Sequence, residues 1–385
     1  MSDQIHMAHA LRLAARGLGS VWPNPAVGCV IVQDNKIVGR GWTQPGGRPH
    51  AERRALDQAG ANAAGATAYV TLEPCAHHGH TPPCAEALIA AGVARVVTAL
   101  TDPDPRVSGK GHAMLRAAGI AVTEHILTPE AARLNAGFLK RVTRKLPFVT
   151  LKLATTLDGR IATASGESRW ITGPAARRHT HLMRLTHDAV MVGAGTARAD
   201  DPDLTVRDMG AVRQPLRIVL DSRLSHSPAS RIGRTARETP VWMVHTAAAP
   251  VAARTTWAAT GAELIEVAAT AEGQVDLTAA LQALAARGLT RILCEGGGQL
   301  AASLVAARLV DDLATYHAGA LIGADGRPAL AALGLQTLAD APRLTLRESQ
   351  TIGGDAFALW DCGFSHPLGG ECCLRACCVQ SGSVD

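Results

Sequence analysis

The chain has 385 residues, 47% of them apolar and 18% charged, and a net charge of +5, which fits a soluble globular protein long enough for two domains with a core each. No uninterrupted apolar run is long enough to span a bilayer, so a membrane partner is excluded. Only 3% of residues are aromatic and no dense Lys/Arg run occurs, which leaves nucleic acid few stacking faces and makes small anionic substrates the expected partners.

The N-terminal segment "MSDQIHMAHALRLAARG" has no compact apolar block before a cleavage site, and a cytoplasmic location is expected. The nine cysteines, four of them in the last fourteen residues, therefore point to metal or catalytic use rather than disulfides. In chain order, the pattern predicts an amphipathic helix over 7–19 closed by glycine, and two strands over 26–42 joined at Asp34-Asn35. A helix from about 51, a strand over 66–72, a helix over 84–92, a strand over 94–100 and one more helix-strand pair to about 126 follow. This alternation predicts an α/β sandwich. The alternation stops before Pro147, and a second α/β unit is expected beyond it, with strands over 148–154, 188–195, 215–221, 240–245, 290–296 and 312–323. The domain boundaries so read are 1–146 and 147–365, with 366–385 as a cysteine-rich tail. Its doublets Cys372-Cys373 and Cys377-Cys378 offer soft-metal ligands, but no preceding scaffold fixes them, and a disordered tail without assigned function is the plainer reading.

Two short stretches carry the chemistry of the first unit. "HAE" places His50 and Glu52 at the start of a helix, and "EPCAHHGHTPPC" places Cys75 at the end of a strand and Cys84 at the start of the next helix. Residues two apart on a helix point to different sides, so His50 and Glu52 have different jobs. The H-x-E and P-C…C pattern is that of zinc deaminases, in which one histidine and two cysteines bind Zn2+ and the glutamate shuttles protons. Three protein ligands leave zinc an open position, where the pKa of a bound water falls to about 7. His50, Cys75 and Cys84 are the expected ligands and Glu52 the proton carrier. The eight residues between the cysteines also supply His77, His78 and His80, which are rival ligands or contacts to phosphate or ring. The plainer alternative is a closed structural zinc site with Glu52 a solvated charge. Asn24, between two prolines in "PNPAVG", is a rigid amide suited to reading a base edge, or a simple turn residue.

In the second unit "VGAGTARADDPDLTVR" has G-x-G without a third glycine and is weak evidence for a dinucleotide fold. "RILCEGGGQLAASLVAARLV" runs a buried strand through three glycines into a helix, so that the amides of Gly297, Gly298 and Gln299 can approach a phosphate, if this is more than a glycine-rich turn.

Taken together, "PNPAVGCVIV", "HAE", "YVTLEPCAHHGHTPPC", "LTDPDP", "LNAGFLKR", "LKLATTLDGRIATASGESRWITG" and the two glycine segments resemble the bifunctional riboflavin-biosynthesis deaminase/reductase family over roughly residues 1–363. The long cysteine spacing is that family's own pattern. The resemblance implies an N-terminal cytidine-deaminase-like α/β/α sandwich and a C-terminal dihydrofolate-reductase-like α/β domain. It implies zinc on His50, Cys75 and Cys84, Glu52 as proton donor, and Asn24, His77 and Asp102 as substrate contacts. NADPH is then implied at Ala154, Trp170, Thr196, Asp200, Ser222 and Gly297–Gln299, and substrate at Ser168, Arg184, Leu204, Arg207 and Glu295. The residue types agree: Arg184 and Arg207 suit a ribose phosphate, and Glu295 or Asp200 suits sugar hydroxyls, although each arginine alone reads equally as a surface ion pair. His80 stands where relatives often have a basic residue, which leaves its phosphate role open. The expected reaction is hydrolytic deamination of a diaminopyrimidinone ribosylamino phosphate followed by reduction of ribosyl to ribityl, in a homo-oligomer. A nucleic-acid base deaminase is the alternative.

Overall fold

A computed structural model describes residues 3–78, 82–104, 107–210 and 212–363. His80 and the doublets of the cysteine-rich tail lie outside the described residues. Two sheets divide the chain where the sequence pattern breaks.

The first sheet is built from β1 (Gly28–Gln33), β2 (Lys36–Trp42), β3 (Thr67–Val70), β4 (Arg95–Thr98) and β5 (Ala121–Thr123), in the order β2-β1-β3-β4-β5. β1 is antiparallel to both neighbours, and β3, β4 and β5 are parallel. Asp34 and Asn35 turn the first hairpin with φ of 48° and 60°, the left-handed pair that a two-residue connection requires. The helices are α1 (Asp3–Ala14), α2 (Ala51–Ala59), α3 (Cys84–Ala90), α4 (Lys110–Ala117), α5 (Thr128–Leu134) and α6 (Ala136–Arg144). Glycines set how close they come. A Cβ on Gly28 would sit 1.9 Å from the Ala10 carbonyl of α1, while one on Gly41, paired with Cys29, would sit 2.0 Å from the Ala51 carbonyl of α2. Gly28 and Cys29 are consecutive strand residues and face opposite ways, so α1 and α2 cover opposite faces of the sheet. α2 thereby holds His50, its N-cap, and Glu52 over one face of β1. β3 ends at Val70, so Cys75 lies in the loop beyond the strand and not at its end.

The second sheet has nine strands. In chain order they are β6 (Phe148–Thr156), β8 (Ala189–Gly193), β9 (Leu216–Leu220), β10 (Val241–His245), β11 (Glu263–Glu266), β12 (Arg291–Cys294), β13 (Asp312–Ala318), β15 (Thr345–Ile352) and β16 (Asp355–Asp361), with a small β7 (Arg160–Ala162) and β14 (Arg327–Pro328) pair beside them. The order is β11-β10-β9-β8-β12-β6-β13-β16-β15. β12 enters between β6 and β8, both far earlier in the chain, and every pair from β11 to β13 is parallel. Connections are made by α7 (Pro174–Leu185), α8 (Ala194–Asp200), α9 (Arg231–Arg234), α10 (Val251–Ala259), α11 (Leu277–Ala286) and α12 (Gly298–Ala306). In an open parallel sheet, ligands collect at the carboxyl ends of strands where the order reverses. Here that crevice lies above β6, β12, β8 and β9.

The sequence pattern missed β11 and the β15–β16 hairpin. β15 is exposed along nearly its whole length, so no apolar alternation marks it. Between the two units, Lys140 of α6 donates to both Asp311 oxygens at 2.8 and 2.7 Å, both side chains being buried, and Asp311 also accepts the Val149 amide at 2.7 Å. That carboxylate ties the last helix of one unit to the first strand of the next. Among the described residues no helix is long and apolar enough to cross a membrane.

Candidate active sites

His50 caps α2 and Cys84 is the first residue of α3, so two helix starts face the loop that carries Cys75. The His50 Nδ1 lies 3.3 Å from the Cys84 Sγ and 3.7 Å from the Cys75 Sγ, and the three donor atoms all lie within 4.8 Å of one another. Zinc bonds of about 2.0–2.1 Å to nitrogen and 2.3 Å to sulfur put tetrahedral donors roughly 3.6–3.8 Å apart, so the donor set fits the ion. Neither His77 nor His78 joins this group. His78 instead pairs with Glu86 at 3.0 Å on the surface.

The electrostatics ask for a cation at the same place. The Cys84 thiol and backbone amide, the latter at 3.2 Å, hold the Cys75 thiol down to about 4. Proximity to that sulfur, with burial, pushes Cys84 well up. Two adjacent sulfurs that cannot both ionise unaided are the natural ligands of a divalent ion. Glu52 is 3% exposed, and burial raises its carboxyl to about 7 despite the opposing His50. It is not the solvated helix charge of the plainer reading, and a carboxyl poised near neutrality is suited to moving protons in both directions.

Asn24, His50, Glu52, Cys75, His77 and Asp102 line one cavity of about 1190 Å³. Cys84 lies behind its wall, 5% exposed. Gly47, at φ +84°, leaves room for the Asn24 side chain, since a Cβ there would lie 1.9 Å from its amide nitrogen. Asp102 is buried, and burial raises its carboxyl to about 6. Its loop is pinned by Glu73, which sequence reasoning passed over. The Glu73 carboxylate accepts the backbone N–H groups of Asp102 at 3.1 Å, Gly109 at 3.0 Å, Gly111 at 2.9 Å and His112 at 3.4 Å. An isolated acid between an apolar strand and Pro-Cys was the available signal.

The second cavity, about 1860 Å³, lies over the crevice of the nine-stranded sheet. Ala154, Ser168, Trp170, Arg184, Thr196, Asp200, Leu204, Arg207, Ser222, Glu295, Gly297, Gly298 and Gln299 all line it, drawn from strand ends and loops nearly 150 residues apart. Two expectations need correction. Arg184 is not an open phosphate clamp: its Nε and Nη2 donate to Glu295 at 2.6 and 2.9 Å, and its Nη1 donates to the Thr205 carbonyl at 2.7 Å. Burial would raise Glu295, but Arg184 holds its carboxyl down to about 2, so the two form one fixed ionised pair. The amide of Gly297 is likewise occupied, donating to Thr196 Oγ1 at 2.9 Å, which leaves Gly298 and Gln299 to offer the open amides of the α12 start. Arg207 pairs with Asp203 at 3.0 Å at the half-exposed rim. Leu204 is buried with φ +55°.

Lys152 was missed altogether. It sits on β6, lines the cavity, and has its pKa lowered by burial, with Glu295 opposing that shift and Arg184 adding to it. A lone cation in the apolar run "FVTLKLA" of a central parallel strand was the legible signal. Arg198 and Arg223 also line the cavity, beside Ser222. Asp221, at the end of β9, is 3% exposed and turned inward, where it accepts the Arg223 and His226 amides and the Ser225 hydroxyl.

Comparison with known proteins finds a match for each unit. Residues 1–100 match the cytidine and deoxycytidylate deaminase zinc-binding region, and residues 147–358 match the RibD C-terminal domain. Riboflavin biosynthesis protein RibD of Escherichia coli K12 is 45% identical over 367 residues, covering 92% of this chain and 98% of its own. The protein of the same name from Bacillus amyloliquefaciens is 40% identical over 354 residues, 92% of this chain and 94% of its own. Among solved structures, Acinetobacter baumannii RibD superposes with a TM-score of 0.84 at 40% identity, covering 93% of this chain and 98% of that one. A Thermotoga maritima diaminohydroxyphosphoribosylaminopyrimidine deaminase/5-amino-6-(5-phosphoribosylamino)uracil reductase superposes with a TM-score of 0.81 at 33% identity and the same coverage. With a His-Cys-Cys site beside one sheet and a large crevice over the other, the chain belongs to the RibD family, the bifunctional deaminase/reductases of riboflavin biosynthesis.

Proposed function

We propose that residues 1–146 deaminate 2,5-diamino-6-(5-phosphoribosylamino)pyrimidin-4(3H)-one and that residues 147–365 then reduce its ribosyl group to ribityl. His50, Cys75 and Cys84 hold zinc, which when bound supplies an acidified water at neutral pH. Glu52 takes the proton from the attacking water and returns it to the departing amine, so that ammonia leaves and a ring carbonyl replaces it. Asn24, His77 and Asp102 hold the pyrimidine edge against Glu52.

The second cavity would hold NADPH, which when bound would supply the hydride for reduction at the ribosyl C1′, the C1′–ring-oxygen bond breaking as that oxygen takes up a proton from solvent. Ala154, Trp170, Thr196, Asp200, Ser222 and the Gly297–Gln299 turn hold the cofactor. The fit is supported by glycine at 298, where a Cβ would stand 2.8 Å from the Pro328 carbonyl, and by the α12 start beneath the cavity. Arg198 and Arg223 read its 2′-phosphate, for among the described residues neither has a carboxylate partner and Asp221 faces away. Ser168, Leu204 and Arg207 meet the substrate, with Lys152 and the Arg184–Glu295 pair setting the charge around its reacting end. The five described cysteines are all free thiols, which supports a reducing cytoplasm, and we expect a homo-oligomer.

The observation that carries this reading is the convergence of the His50, Cys75 and Cys84 donor atoms within 4.8 Å of one another next to a buried, near-neutral Glu52. The test mixes zinc-quantified protein with the diamino substrate and NADPH, following ammonia and absorbance together. Ammonia should appear before NADPH falls. Glu52→Gln should keep its zinc, lose about 10²- to 10⁴-fold in ammonia release, and still oxidise NADPH on substrate already deaminated. NADPH loss without ammonia, or an unimpaired Glu52→Gln, overturns it.

A further inference from the structure

Lys152 stands on β6 and lines the reductase cavity, yet among the described residues its ammonium makes no hydrogen bond and no ion pair. Glu295, the carboxylate whose field reaches it, gives both oxygens to Arg184 at 2.6 and 2.9 Å. What lies next to the ammonium is an aromatic ring: the Lys152 Nζ is 5.9 Å from the centroid of Tyr316. The register makes this contact a property of the sheet. Lys152 pairs with Ala314, and Ala154 with Tyr316, across the parallel β6–β13 ladder, so Lys152 and Tyr316 are diagonal neighbours on one face.

Tyr316 is itself held in one orientation. It is 1% exposed, its hydroxyl shares a hydrogen bond with the His179 Nδ1 of α7 at 2.6 Å, and the same hydroxyl reaches the Met183 Sδ one turn further along at 3.1 Å. Phe357, its register partner on β16, meets the ring at 5.0 Å, and the His179 ring meets it edge-on at 5.8 Å. A tyrosine that served packing alone would have apolar atoms on all its faces. This one has an ammonium over its ring, and the negative face of an aromatic ring attracts a cation most where water is scarce.

We infer that Tyr316 is a positioning residue of the reduction: its ring, locked by His179, Met183 and Phe357, supports the Lys152 ammonium and keeps its N–H groups aimed into the cavity. Tyr316 lines no part of that cavity, so it acts through Lys152 and not on the substrate. Glu295 at the end of β12 favours the ammonium and Arg184 of α7 disfavours it, with His181 of α7 beside both of them. The Tyr316 ring adds to the favourable side. This rests on the placing of Lys152 at the reacting end of the substrate, and the experiment tests the two apart.

Tyr316→Leu and Tyr316→Met remove the ring and keep apolar volume, while Tyr316→Phe keeps the ring and removes the hydroxyl. On substrate already deaminated, the first two should lose about three- to tenfold in kcat/KM for reduction, and the basic limb of the pH profile should move down by about half a unit. Tyr316→Phe, which restores the ring, should recover most of that loss. The KM for NADPH, the zinc content and ammonia release should match the parent, which shows that both units are folded. In a Lys152→Met background the ring-free substitutions should have no further effect on kcat/KM. Parental kcat/KM in the ring-free variants, a loss shared with the KM for NADPH, an equal loss in the Lys152→Met background, or a Tyr316→Phe as impaired as Tyr316→Leu overturns the inference. A Lys152→Met that reduces as fast as the parent overturns the placing of Lys152 instead.

Discussion

In the proposed reading, Arg198 is the side chain that distinguishes two nearly identical cofactors. Its Nη1 donates to the Ser225 hydroxyl at 2.7 Å, and it stands on the rim next to Ser222 and Arg223. A guanidinium paired with a phosphate gains charge-assisted hydrogen bonds that a ribose hydroxyl cannot return. Arg198→Met should therefore raise the KM for NADPH by about tenfold to a hundredfold and leave that for NADH nearly unchanged. Equal changes for the two cofactors would remove Arg198 from this role. The contrast with Arg184 is instructive, because both are arginines of one cavity and only neighbours distinguish them. Glu295 neutralises Arg184 at 2.6 Å, whereas Arg198 has no carboxylate partner among the described residues.

At the scale of elements, the deaminase site depends on a loop held by one buried acid. Glu73 gathers four amides from residues 102–112, bringing Asp102 to the cavity that Cys75 enters from the other side. A glutamine keeps the shape but turns a donor toward amides that need an acceptor. Hydrogen bonds to a charged group contribute about 1.5–3 kcal/mol each, so Glu73→Gln should lower unfolding stability by about 2–4 kcal/mol and raise the deamination KM. Denaturant melts and ammonia assays measure both. A variant as stable as the parent would show that the loop holds itself.

For the whole molecule, acid sensitivity has a built-in source at the centre of the second sheet. His187 follows α7 and is buried; its Nδ1 donates to the Met183 carbonyl at 2.7 Å and its Nε2 accepts from the Thr150 hydroxyl at 2.9 Å. A Cβ on Gly19 would stand 2.9 Å from the His187 carbonyl, so the residue also backs the contact between the two units. Burial lowers its pKa to about 3, so the folded protein keeps it neutral while the unfolded chain takes up a proton below the ordinary value of 6.5. Stability is lost as pH falls from 6.5 toward 3, at about 1.4 kcal/mol per pH unit for this one proton. His187→Gln should flatten the fall of unfolding free energy between pH 6.5 and 4.5 by up to about 1.4 kcal/mol per pH unit, measured by denaturant melts across that range. A variant with the parent's slope would assign acid lability to other groups.

The zinc ligands and Glu52 were legible because their signature is local: His50, Glu52 and Cys84 stand at helix starts and Cys75 in the loop before α3, within two short motifs. Most strands could be read for the same reason, since burial on both faces leaves an apolar run. β15 could not, because an exposed edge strand buries nothing that would mark it. The expected boundary near 146 rests on an alternation interrupted at Pro147. What the amino-acid order could not contain is adjacency. Only folding puts β12 between β6 and β8, joins Arg184 to Glu295 across 111 positions, and sets reductase residue Gln282 in the wall of the deaminase cavity. Propensity and periodicity act over a few residues, whereas these contacts are chosen by which faces must be buried together, and that is settled by the molecule as a whole.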